Sequence, residues 1–289
     1  MKDLAAYTAS CPRCDRDRYL IEPRAEMTVA QVCPDCFGTC PACDGTEFTY
    51  EIDDRGYEVA RQCPVCGALN RRIQAFNDAR IPRRHHDATL ENFETHRLAE
   101  DGSQGSPVGN LPRVRFRLYN WVKGFVPGER GFLLVGKVGT GKTHLLSGVI
   151  RHLTLEKGVP ARFVEFTHLL SELREQFDRG KGETEILRPL VEIPVLAIDE
   201  LGKGRRTDWQ ISIIEEIISK RYNRSATTLF TTNYPVDEDR RLTPDPATGS
   251  YAPTATTEHL AERIGERSFS RLYEMTDFVG LEAPDHRRR

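Results

Sequence analysis

The sequence predicts an α/β protein: a parallel sheet flanked by helices, with a small cysteine-rich domain ahead of it. Three observations lead there. All 8 Cys stand before residue 67. From Val114 onward, short apolar runs alternate with stretches of helical period, as in a parallel sheet covered on both faces. One of those runs, Phe132 to Val135, opens directly into a glycine-rich loop ending Gly141-Lys142-Thr143. The expected domains are 1–69, cysteine-rich; 70–110, linker and lead-in; and 111–289, the α/β domain.

Bulk properties set outer limits. Hydrophobic residues make up 38% of the 289, enough for a core across the α/β region. The formal net charge of -2 supplies no global positive field, so any nucleic-acid contact has to come from a local patch. No apolar run is long enough to cross a bilayer, and Met1 to Ser10 lacks the basic and apolar stretches of a secretory signal. The expected location is the cytoplasm, where thiols stay reduced.

The elements follow in order. Asn70 to Arg84 is arginine-rich and reads as a short helix or linker. Glu100 to Asn110, with Gly102, Gly105, Pro107 and Gly109, reads as a surface loop. Val114 to Phe125 is expected as a helix closed by Pro127 and Gly128. Phe132 to Val135, between two glycines, is a buried strand. Thr140 to Lys157 is a helix ended by Gly158 and Pro160. Arg162 to Phe166 is a strand, and Thr167 is expected to cap a helix running toward Arg179. Val195 to Ile198 is a second fully apolar strand. Asp208 is expected to cap a helix whose buried face is Ile211, Ile214, Ile218 and Tyr222. Thr227 to Thr231 is a strand, Asp239 to Thr257 an exposed loop, Glu258 to Glu274 helical, and Phe278 to Leu281 a last strand.

Gly136-Lys137-Val138-Gly139-Thr140-Gly141-Lys142-Thr143 fits the G-x-x-x-x-G-K-[ST] phosphate loop. The glycines let backbone N–H groups converge on phosphate oxygens, the helix that follows adds its positive end, and His144 joins Gly136 to Thr143 as a nucleotide-binding residue. Lys142 would neutralise the β and γ phosphates of ATP, and Thr143 would place its hydroxyl on Mg²⁺. Such a loop needs a carboxylate at the end of a neighbouring strand. Val195-Leu196-Ala197-Ile198-Asp199-Glu200 supplies one, with Asp199 toward the magnesium and Glu200 toward the attacking water. Asn233, after the next apolar strand, could orient that water, although Asn at a strand end is often a turn residue.

The cysteines form four Cys-x-x-Cys pairs, Cys11/Cys14, Cys33/Cys36, Cys40/Cys43 and Cys63/Cys66, each with Pro after its first Cys. Two such pairs complete a tetrahedral S₄ zinc site, so two Zn²⁺ are expected with no thiol left over. Sequential pairing leaves 18 and 19 residues between knuckles and is the preferred arrangement. A nested arrangement is the alternative, because Cys33 to Gly38 and Cys40 to Gly45 are faintly similar to the nested cysteine-rich region of DnaJ. Zinc would stabilise a segment too small and polar to fold by burial alone.

The motifs GKVGTGKTHLL, VLAIDELG, TTLFTTNYP and GERSFSRLYEM, in this order, resemble AAA+ ATPases of the DnaC/DnaI/IstB type over roughly Ile81 to Glu282. Ile81-Pro82-Arg83-Arg84 and Ala88 to Phe93 are similar to the lead-in of that family. The resemblance implies an ATP-hydrolysing protein that forms homo-oligomers on ATP. Its partner would be a replicative helicase or another protein, with single-stranded DNA possible and no membrane. It makes Lys142 and Thr143 Walker A, Asp199 and Glu200 Walker B, and Asn233 sensor 1. Arg271 becomes the arginine finger offered to a neighbouring subunit, with Arg267 as second choice. No helical lid is expected after Leu281. The resemblance leaves open a helicase loader, an IstB-like transposition helper, and a zinc-containing adaptor that uses ATP as an assembly switch without DNA.

Two basic patches are candidates for contact with a phosphate backbone. Arg113, Arg115, Arg117 and Lys123 accompany Phe116, Tyr119 and Trp121, for which a solvated helix face with the aromatics turned inward is the plainer reading. Lys203, Arg205 and Arg206 lie in a loop after the acidic pair.

Overall fold

The computed structural model describes residues 11–15, 17–36, 40, 42–44, 46–98, 104–236 and 258–286. The chain divides into two compact units, residues 1–87 with 150–161, and residues 88–149 with 162–289.

In the first unit, strands β1 (Tyr19–Arg24) and β2 (Met27–Val32) form one antiparallel hairpin, and β3 (Phe48–Ile52) and β4 (Glu58–Gln62) a second. Helix α1 (Gly67–Ala79) buries Leu69, Ile73, Phe76 and Ala79. Asn77 on that helix serves β2 as a strand would. Its side-chain oxygen accepts from the Ala30 N–H at 2.7 Å, and its amide donates to the Ala30 carbonyl at 3.0 Å. The arginine-rich stretch is thus the α1 helix, ended by Arg80 in a left-handed conformation (φ 56°).

The second unit begins with a small hairpin, β5 (His96–Leu98) and β6 (Gln104–Pro107), then α2 (Leu111–Gly124). Strand β7 (Gly131–Gly136) leads through the glycine loop into α3 (Lys142–Arg151). The expected helix to Lys157 continues only as a wider π turn over His152–Glu156, where the Thr154 hydroxyl bonds back to the Ile150 carbonyl at 2.8 Å. There follow β8 (Ala161–Glu165), α4 (Phe166–Asp178), α5 (Glu183–Glu192), β9 (Val195–Asp199), α6 (Asp208–Asn223) and β10 (Thr228–Thr232). The chain resumes with α7 (Leu260–Ile264), α8 (Glu266–Met275) and β11 (Thr276–Leu281). The loop expected from Asp239 to Thr257 lies outside the described residues.

Five strands form one sheet in the order β11-β7-β10-β9-β8, with the β11–β7, β7–β10 and β10–β9 pairs parallel. Strands β9 and β10 are buried along their whole length. That explains their unbroken apolar and threonine sequences: helices cover both faces, so alternation has no purpose. Among the described residues no helix is long and apolar enough to cross a membrane.

Three local expectations are corrected. Thr167 does not cap α4; the helix begins at Phe166, and the Thr167 hydroxyl donates to Glu165 at 2.8 Å. The cap of α6 is Thr207, whose hydroxyl accepts from the Gln210 N–H, not Asp208. The buried face of α6 is Ile213, Ile214, Ile217, Ile218 and Arg221, while Ile211 and Tyr222 sit at its margins. Isoleucines at adjacent positions in pairs allowed more than one stripe, and packing against the sheet chose between them. Arg221 is fully buried. Its guanidinium donates to the Leu190, Val191, Ile193, Pro194 and Thr227 carbonyls and to the Thr228 hydroxyl. It thereby closes the C-terminal end of α5, where helix carbonyls have no partner of their own.

Candidate nucleotide site and metal centres

The loop from Gly136 to Thr143 curls as its glycines permit, with Gly139 and Gly141 at φ 80° and 92°. A side chain at Gly141 would collide with the ring of Phe93, and one at Gly139 with Asp285. The lead-in therefore lies against the phosphate loop from one direction and the segment after β11 from another. Thr89 and Asn92 cap each other reciprocally, each side-chain oxygen accepting the other's backbone N–H at 3.0 Å. His144 points its Nε2 at the Thr89 carbonyl and the Asn92 side chain, each at 3.0 Å. Its ring faces the lead-in. Val138 is 55% exposed at the loop tip, and the Thr140 hydroxyl donates to the Lys137 carbonyl at 3.0 Å.

Lys142 is buried, its ammonium donating to the Gly136 and Lys137 carbonyls at 2.7 and 2.8 Å. The cation is held over the loop where a phosphate would be received. Sheet order brings in the acidic partner. Strand β10 lies between β7 and β9, so three strand ends meet above the loop. The Thr143 hydroxyl lies 3.0 and 3.2 Å from the two oxygens of Asp199. Thr231 of β10 donates to Asp199 at 2.6 Å and accepts the Glu200 N–H at 2.9 Å. Asp199 is buried, and that burial raises its pKa against the lowering effect of the two hydroxyls. A carboxylate and a hydroxyl this close, both hard oxygen ligands, suit Mg²⁺.

Glu200 is the one non-glycine residue of this loop in the left-handed region, at φ 56°. Such backbone costs roughly 1–2 kcal/mol and concentrates at functional sites. Lys203 bridges Glu200 and Glu165, at the end of β8, contacting Glu200 closely and Glu165 at 3.3 Å. The Lys203 pKa is raised by its bond to Glu200. In this basic patch Lys203, Arg205 and Arg206 are all exposed, and Lys203 is engaged by the two carboxylates. Arg263 grips the same loop, donating to the Gly202 and Gly204 carbonyls and to Glu258 and lying over the Tyr234 ring.

Asn233 is exposed, one residue past β10, whereas Thr231 is the strand-end group that reaches Asp199. Arg271 and Arg267, on α8, lie 3.9 and 4.0 Å from Glu215 of α6. Arg271 is the more enclosed, and its Nη1 is buried with no hydrogen bond; Arg267 is 86% exposed. The other basic patch is partly occupied as well, since Arg117 pairs with Asp277 at 2.8 Å. Trp121 packs on Phe125 and Phe132, but Phe116 is 66% exposed rather than turned inward. Sequence reasoning missed Glu165, Arg263 and Asp285, for which no motif carries a signal, and it saw Phe93 only as part of the lead-in.

The cysteines gather sequentially into two groups, Cys11, Cys14, Cys33 and Cys36, and Cys40, Cys43, Cys63 and Cys66. Sulfur separations between the paired knuckles are 3.6 and 3.9 Å in the first and 3.2 and 3.8 Å in the second. A tetrahedral zinc with Zn–S of about 2.3 Å requires sulfurs about 3.8 Å apart, whereas a disulfide would draw a pair to about 2.05 Å. The donor set and its spacing therefore fit Zn²⁺. Backbone N–H groups of Arg13 and Cys14 pull the Cys11 thiol down to about 7, while burial pushes Cys36 up.

The sheet and the loop between β7 and α3 are like those of the DnaC/DnaI AAA+ fold. Residues 120–250 match the family model described as IstB-like ATP binding protein. Among curated relatives, the replicative helicase loader DnaC of Escherichia coli is 26% identical over 170 residues, covering 58% of this chain and 64% of that protein. YdaV of the same species is 32% identical over 167 residues, covering 57% and 62%. YqaM of Bacillus subtilis is 29% identical over 149 residues, covering 49% and 46%. The matches thus span about half to two thirds of these relatives. The crystal structure of the DnaC helicase loader aligns with a TM-score of 0.53 at 29% identity, covering 69% of this chain and 99% of that one. That of DnaI aligns at 0.50 with 20% identity, over 72% and 94%; this likeness concerns the fold.

Proposed function

We propose that the chain is an ATP-hydrolysing helicase loader of the DnaC kind, assembling with copies of itself on ATP and acting at single-stranded DNA in the cytoplasm. The observation that carries this reading is the Thr143–Asp199 contact at 3.0 Å, which joins phosphate loop and acidic strand across the sheet. The likeness to DnaC, in sequence and in structure, supports the loader role.

In the proposed reaction, loop N–H groups and Lys142 bind the ATP phosphates, and Thr143 with Asp199 would hold Mg²⁺, which supplies charge neutralisation there. Glu200 accepts a proton from water, whose oxygen forms a bond to the γ phosphorus as the bond to the β-phosphate oxygen breaks. Release of Glu200 from Lys203 precedes that step. Asn233 orients the water, and Arg271 of a neighbouring copy stabilises the departing charge, an effect on the order of a thousandfold or more in related chemistry. The two cysteine groups hold zinc and shape the N-terminal module.

The test is ATP turnover by the purified chain with and without single-stranded DNA, together with co-purification with the replicative helicase. Stimulated turnover and stable helicase binding are expected. The IstB-like family match favours a second reading, a transposition helper. Retention of a transposase in place of the helicase would replace the first reading with the second.

A further inference from the structure

Among the described residues nine large hydrophobic side chains are exposed, and five fall within twelve positions of one hairpin: Phe48, Tyr50, Ile52, Tyr57 and Val59. The β3–β4 register sorts them by face. Phe48, Tyr50 and Ile52 alternate along β3, opposite Gln62, Ala60 and Glu58, and so stand on one side. They are 47%, 63% and 77% exposed. The other side carries the Arg61–Glu51 ion pair at 2.9 Å. A two-stranded hairpin is marginal in water unless something covers or anchors it. Here the anchor is the second cysteine group: Cys43 precedes β3, Cys63 follows β4, and the Cys63 N–H donates to the Glu47 carbonyl at 2.7 Å. The apolar face is therefore presented on a fixed arm, which lowers the ordering cost of binding.

Charge indicates what the arm meets. Between Glu47 and Gln62 stand five carboxylates, Glu47, Glu51, Asp53, Asp54 and Glu58, against Arg55 and Arg61. An acidic rim repels a phosphate backbone. Aromatic and aliphatic anchors inside a charged rim are the make-up of a protein interface. We infer that the Phe48–Tyr50–Ile52 face of the β3–β4 hairpin docks a partner protein presenting an apolar patch bordered by Lys and Arg.

The test places the photo-reactive residue p-benzoylphenylalanine at position 50 of the full chain in cells and maps the cross-linked peptides by mass spectrometry. The expected result is an adduct with one protein other than this chain, through a peptide in which apolar residues adjoin Lys or Arg. With that protein purified, Tyr50→Thr/Ile52→Thr and, separately, Asp54→Lys/Glu58→Lys are expected to weaken binding at least tenfold while zinc content stays unchanged. Threonine keeps strand preference, and the charge pair leaves the apolar face intact, so loss in both reports on the surface. Adducts with this chain's own peptides, adducts with nucleic acid, or no more adduct than from a control probe at Arg24 would each overturn the inference. So would binding that both double variants leave unaltered.

Discussion

Asp199→Asn separates the cost of the buried carboxylate from its use. In the folded chain Asp199 is 5% exposed and accepts from Thr143 and Thr231. Burial raises its pKa, so the fold binds the proton more tightly than the unfolded chain does. The charged form is then a cost to the fold. Stability tied to this group is fully present below the unfolded pKa and lost as pH rises through the folded one. Asparagine removes the charge and keeps an oxygen for Thr231. The variant's ligand-free melting temperature near pH 7 is therefore expected to equal or exceed that of the wild type, and the gap is expected to shrink as pH falls. Ligand stabilisation moves the other way. At a hundred times its Kd, Mg–ATP stabilises a binding-competent fold by about 2.7 kcal/mol. For a domain of this size that raises the transition by roughly 5–10 °C. The variant loses the part of this rise that depends on magnesium. Differential scanning fluorimetry with ATP, with Mg–ATP and without ligand reads all three quantities. A variant several degrees less stable without ligand, yet showing the full Mg–ATP rise, would refute the reasoning.

Three further outcomes are expected. Lys142→Ala weakens ATP binding by at least a hundredfold in a fluorescent-nucleotide titration, because the buried ammonium has no substitute in the loop; ordinary binding removes the phosphate-site assignment. Metal analysis finds two zinc per chain, and Cys66→Ser lowers the second site without emptying the first; one zinc in the intact protein contradicts the two-cluster geometry. Arg271→Ala keeps ATP binding and loses turnover by about a hundredfold or more, measured by phosphate release at saturating ATP, whereas Arg267→Ala loses little; the opposite pattern moves the finger to the exposed arginine.

The legible part of this protein was local. A phosphate loop is eight consecutive residues, and its glycines, lysine and threonine announce their chemistry through spacing alone. Strands β7, β9 and β10 were visible because a strand covered on both faces carries apolar residues or, in β10, threonines without a charged break. The Cys-x-x-Cys pairs were equally plain, since each knuckle closes within four residues. Helix faces were less so: α6 offered Ile211, Ile213, Ile214, Ile217 and Ile218, and helical period alone does not select among them.

The rest depended on which distant segments the fold sets side by side. Nothing near Asp199 in sequence names Thr231, 32 positions away; sheet order put β10 between β7 and β9, and parallel register brought the hydroxyl within 2.6 Å. The same holds for Lys203 and Glu165, for Phe93 against Gly141, and for the choice between sequential and nested cysteine groups. Each of these pairings is fixed by packing and strand register acting across long stretches of chain. Spacing along the polypeptide carries no record of them.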